Sequence, residues 1–171
     1  AELLFQQLIK SEPGNSKVYF HYGENTLLNY FSDTISNSLT VATKEAADIF
    51  NKGVGANAND PLNYVGLAKV AFYQGDNAKA EEMRAKAKSL LPAYKKITKI
   101  PNPKDYAYTL GKIAESYIRF ETVDTSKALP FIREALKIDP RNSEVYIIAG
   151  DIYILVNDGS KAIKNYNLAQ D

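Results

Sequence analysis

The 171-residue chain has no cysteine and no tryptophan, and only one methionine and one histidine. Without cysteine there are no disulfides, no thiolate metal sites and no cysteine nucleophile, while the compartment stays open. A single histidine excludes a metal site that needs two imidazoles from one chain. No apolar run approaches the roughly 20 residues that a membrane-spanning helix requires. The amphipathic opening AELLFQQLIK shows no secretory-leader pattern, so any leader is expected to have been removed. Charge of one sign is also lacking: 21 basic and 20 acidic residues leave a net +1, and bulk charge selects no polyanion.

Strand signals are scarce too. Alternating runs are short, and no Asn-Gly or Asp-Gly turn joins two β-branched segments; NDG at 157–159 separates two runs with helical spacing. What is present is apolar spacing of three and four residues almost throughout, with twelve tyrosines and seven phenylalanines supplying bulk. This spacing predicts helices at about 1–11, 17–31, 41–54, 61–74, 77–90, 104–120, 125–138, 142–156 and 159–170. The breaks are short and rich in Gly, Pro, Asn and Asp: SEPGN, NANDP, QGDN and IDPRN. Proline lacks a backbone donor and clashes with the preceding turn, so each Asp-Pro or Glu-Pro stops a helix. An all-α chain of helical hairpins is expected.

A common spacing recurs along these hairpins. In the last one, Tyr146, Ala149-Gly150 and Tyr153 precede a turn, then Ala162, Tyr166 and Ala169 follow. Upstream the order returns as Leu110, Ala114, Tyr117, Ala128, Ile132, Ala135 and Pro140. It returns again as Tyr64, Leu67-Ala68, Ala71, Gly75-Asp76, Ala80, Ala87 and Pro92, and as Tyr19, Tyr22-Gly23, Ala46, Phe50 and Gly53. This order resembles the tetratricopeptide repeat, in which an aromatic, a small pair and a second aromatic precede a turn and a small–aromatic–small helix.

The resemblance implies a right-handed α-solenoid: a half repeat at 1–15, repeats at about 16–58, 61–92, 104–140 and 143–171, and a proline-rich connector at 92–104. Departures are a turn about eleven residues longer than the pattern after Thr26, spanning an insertion at 31–45, and Arg84 in an aromatic slot. The half unit at the start and the end inside a second helix imply a piece of a larger chain. Asparagine-, tyrosine- and lysine-rich usage resembles bacterial repeat proteins of the periplasm or cell envelope, with the cytoplasm as alternative.

The resemblance also implies the work: a non-catalytic scaffold that binds a protein or peptide in its concave groove. Carried over, the groove positions are Phe20 and Glu24, Val65 and Lys69, Gly111 and Glu115, Ile147 and Asp151, with His21, Leu28, Phe72, Tyr73, Tyr108, Lys112, Arg119 and Ile154 as neighbours. The lysine–asparagine clamp of the chaperone-binding members is replaced here by Phe20, Val65, Glu24 and Lys69, so capture of an acidic C-terminal tail is not implied. The alternative is structural self-assembly, a homo-oligomer stacking through open solenoid ends.

No enzyme, cofactor or metal is expected. His21 lacks a serine and carboxylate in any local catalytic signature, and GVGAN at 53–57 lacks the strand and third glycine of a dinucleotide loop. Lys79, Arg84, Lys86, Lys88, Lys95, Lys96, Lys99 and Lys104 outnumber Glu81 and Glu82, forming a solvated face or a basic docking patch. Tyr94 alone interleaves it, so nucleic acid is not the expected partner.

Overall fold

The computed structural model describes residues 1–32 and 38–170; part of the predicted 31–45 insertion and the final residue lie outside the described residues. The described chain is all-helical apart from one short ribbon, and it divides into two compact units, Ala1–Leu90 and Leu91–Asp171.

The first unit holds α1 (Glu2–Ser11), α2 (Ser16–Ser32), α3 (Leu39–Ala56), α4 (Pro61–Tyr73) and α5 (Asn77–Leu90). α2 pairs with α3 and α4 with α5 as helical hairpins, while α4 also packs on α2 and α3. The breaks read as stops also start the next helix. Asp60 accepts the Leu62 amide at 3.0 Å with Pro61 just inside the helix, where no amide hydrogen is needed. Asp76 accepts the Lys79 amide at 2.9 Å ahead of α5. Asp60 also takes the Ser16 hydroxyl at 2.5 Å, tying the start of α4 to the start of α2.

The core of this unit is built around Phe50, which is fully enclosed with Phe20 at 6.2 Å between ring centroids. The Phe50 ring occupies the space where Gly23 of α2 and Gly66 of α4 would carry a Cβ. Two helices can approach one ring only because both present hydrogen at that point.

The second unit contains a 3-10 turn (Ile97–Lys99), α6 (Pro103–Glu115), β1 (Ile118–Arg119), β2 (Thr122–Val123), α7 (Thr125–Ile138), α8 (Ser143–Leu155) and α9 (Gly159–Leu168). α6 pairs with α7 and α8 with α9, and α8 packs on α6. Asn102, Asp124, Asn142 and Asp158 cap the four helices through their side chains. The helix expected over 104–120 ends at Glu115. Ser116 turns its hydroxyl back to the Ile113 carbonyl at 2.7 Å, and Ile118 and Arg119 then pair antiparallel with Val123 and Thr122. β-branched Ile118, Thr122 and Val123 favour extended pairing, which overrides the helical spacing across this turn.

The same contacts recur in both units. The Tyr19 hydroxyl donates to the Pro13 carbonyl at 3.1 Å, and the Tyr146 hydroxyl donates to the Pro140 carbonyl at 3.1 Å. Gly23 lies under the Phe50 ring as Gly150 lies under the Tyr166 ring. Ala46, Ala80, Ala128 and Ala162, one in the second helix of each hairpin, are all fully buried.

Candidate functional site

In the first unit the structure separates the predicted groove residues by burial. Phe20 and Val65 have no exposed surface; they are core residues and offer nothing to a partner, which corrects their assignment to an open groove. The physical reason is that α4 packs on the α2 face that carries Phe20. Lys69 of α4 meets Glu24 of α2 across this packing, Nζ to Oε1 at 2.8 Å, with side chains 10% and 14% exposed. A charge pair so enclosed stabilises chiefly by avoiding the cost of an unmatched ion. Phe72 is half-buried beneath the Arg84 guanidinium, 4.8 Å from its ring centroid. Tyr73 stacks edge-on with Phe31 at 5.3 Å. His21 is exposed, its ring edge-on to Phe20 at 5.3 Å, and Leu28 is also exposed.

The second unit keeps more of its candidates at the surface. Ile147 and Ile154 are 44% and 52% exposed on α8, with Asp151 between them on the same helix face. Tyr166 of α9 donates its hydroxyl to Asp151 at 2.7 Å. Lys112 is buried on α6 and ion-paired with Glu115. Dehydration raises the Asp151 carboxyl above the usual range; the Tyr166 bond opposes this, Glu115 adds to it, and Lys112 opposes it. The Tyr166 hydroxyl is pushed up to about 12, first by dehydration and then by its bond to Asp151 and the charge there. Tyr108 is half-buried on α6. Arg119 stands on β1 instead of the predicted helix, its guanidinium 5.8 Å from the Phe120 ring centroid.

The basic segment changes most at Arg84. Its side chain is 3% exposed, bonded to Glu81 at 3.2 Å and laid over Phe72, so it belongs to the interior and not to a solvated basic face. A cation over an aromatic ring fills the slot where the repeat pattern carries an aromatic. Lys86 is exposed, with its ammonium 5.7 Å from the Tyr64 ring centroid, and Lys88 is half-buried; both close the first unit. Lys95, Lys96 and Lys99 are exposed around the 3-10 turn of the second unit.

A surface that the sequence reading missed lies across α1, α2 and α3. Two adjoining cavities of about 260 and 500 Å³ share Tyr22 and Glu45. Asn25, Asn29 and Tyr30 line the smaller; Lys10, Asp48 and Lys52 line the larger. The Phe5 and Tyr22 rings stack at 5.2 Å and hold α1 against α2. Tyr19 and Tyr22, three apart on one helix, were the signal available, but their spacing equally describes a core face.

Among the described residues no three His, Asp or Glu gather as metal ligands, and no helix is long and apolar enough to cross a membrane. No protein-family model matches the chain, and no curated protein matches it.

Proposed function

We propose that the chain is a protein-interaction module of the tetratricopeptide kind: a right-handed solenoid of stacked hairpins that works without catalysis, by holding a protein or peptide segment. The observation that carries this reading is the recurrence of one contact set. The tyrosine–proline bond, the glycine under an aromatic ring and the buried alanine return at matching places in separate hairpins. Repetition of one packing unit is the mark of an architecture whose surfaces serve binding. With Phe20 and Val65 enclosed, the binding residues narrow to Ile147, Asp151 and Ile154.

Selection from a random peptide display library against the whole chain tests the reading. Enriched peptides that lose binding when Ile147 becomes Glu, with the helical spectrum unchanged, support it. A library that yields no binder overturns it. A self-stacking reading draws on Leu3 and Leu4, 70% and 59% exposed on α1, together with Ile163, 63% exposed on α9. A concentration-independent monomer mass removes that second reading.

A further inference from the structure

The cavity of about 500 Å³ across α1, α2 and α3 joins apolar surface to charges of both signs. Ile9, Tyr19, Tyr22 and Ile49 supply the apolar lining, with Tyr19 and Ile49 themselves buried. Lys10 stands on the α1 wall. Glu45, Asp48 and Lys52 stand on the α3 wall at steps of three and four residues, which puts them on one helix face. The charges are sorted by sign. Lys10 and Lys52 line the larger cavity alone, whereas Glu45 lies where it meets the smaller one, with Glu2 beyond. Burial raises the Tyr22 hydroxyl; Gln6 opposes the rise, and Glu2 and Glu45 add to it, so both carboxylates are felt at that end. Among the described residues Lys10, Glu45, Asp48 and Lys52 form no ion pair.

We infer that this cavity binds a short apolar peptide with both ends free, its ammonium toward Glu45 and its carboxylate toward Lys10 and Lys52. Length follows from the helix. Glu45 and Lys52 are seven residues apart on α3, and a rise of about 1.5 Å per residue separates them by about 10 Å. An extended chain spans about 3.3–3.6 Å per residue, so about three residues bridge that distance. Their apolar side chains leave water against Ile9, Ile49 and the two tyrosines. A ligand charged at one end only leaves half of the charged lining unmatched. The chain's own segments do not take this place. The connections at this end of the three helices, residues 12–15 and 57–60, line neither cavity. The helix that precedes the matching trio α3, α4 and α5 is α2, which packs on α3 and α4. A helix placed likewise before α1 would cover α1 and α2, not the α3 wall that carries Glu45, Asp48 and Lys52.

The probe is trileucine with free ends, titrated into the whole chain and followed by calorimetry and isoleucine-methyl NMR. Binding is expected to move Ile9 and Ile49. Acetylating the amine or amidating the carboxylate should each weaken binding about tenfold. Dileucine, too short to reach both ends, should also bind more weakly. Lys52→Gln should weaken trileucine yet leave the trileucine amide unchanged, and Glu45→Gln should weaken trileucine yet leave the acetylated peptide unchanged. Both side chains are exposed, so neither change touches the core. No binding up to millimolar trileucine overturns the inference, as do equal affinities of free and capped peptides or shifts confined to other isoleucines. Failure of trileucine beside display-selected binders that need Ile147 sinks this inference alone; an empty display selection sinks only the module reading.

Discussion

Tyr166 donates its hydroxyl to Asp151 while its ring lies where Gly150 would carry a Cβ. One side chain of α9 thus reads two successive residues of α8, a polar one and an empty one. The bond holds the ring over the glycine, so a methyl group there cannot be met by swinging the ring away without losing the bond. Gly150→Ala or Gly150→Leu should therefore cost about 1–3 kcal/mol by overpacking, read as a lowered melting temperature. Tyr166→Ala should make the Gly150→Ala change nearly neutral, since the two substitutions act on one contact.

The Lys69–Glu24 pair leads to a different outcome from the one a solvated groove would give. On an exposed face, charge reversal would leave stability alone. Enclosed, Lys69→Glu sets two carboxylates against each other, and Lys69→Met removes the ammonium from a carboxylate held out of water. We expect Lys69→Met to cost about 2–3 kcal/mol in chemical denaturation. Adding Glu24→Leu should recover part of that loss, because the paired apolar replacement leaves no buried charge.

How much of this could be read beforehand depends on what each signal encodes. All nine helices among the described residues follow the predicted order, since apolar spacing reports which face is buried and Asp, Asn and Pro report where a helix starts or stops. The break after Glu115 was illegible because Ile118 and Val123 satisfy helical and extended spacing alike, and only pairing across the turn decides between them. Burial within the candidate site was equally hidden. Phe20 and Ile147 occupy matching positions with similar chemistry, and their difference lies in whether another helix packs alongside. Arg84 misled for a related reason, because a sequence shows a cation but not the Phe72 ring beneath it.

Asn157 has φ +58° at the turn between α8 and α9, in the left-handed region that Asn tolerates and β-branched residues do not. Asn157→Val should cost about 1–2 kcal/mol through backbone strain alone, while Asn157→Gly should hold the melting temperature. Equal losses in both variants would show that the side chain, and not the backbone, matters there.

The Tyr166 hydroxyl also gives the fold an alkaline limit whose sign follows from proton counting. Its folded pKa stands at about 12, above the ordinary value of 10.0, so between those limits the unfolded chain releases a proton that the folded chain keeps. The stabilisation is therefore fully present below pH 10 and is lost as pH rises through that window. Tyr22, Tyr94 and Tyr106 are raised as well and add slope in the same direction. Tyr166→Phe removes one contributor: its denaturation free energy should decline less steeply than the parent's between pH 10 and 12. At neutral pH the variant should instead be the less stable, because Asp151 loses its donor. Identical alkaline slopes in parent and variant would mean that the Tyr166 hydroxyl titrates as freely as it does in an unfolded chain.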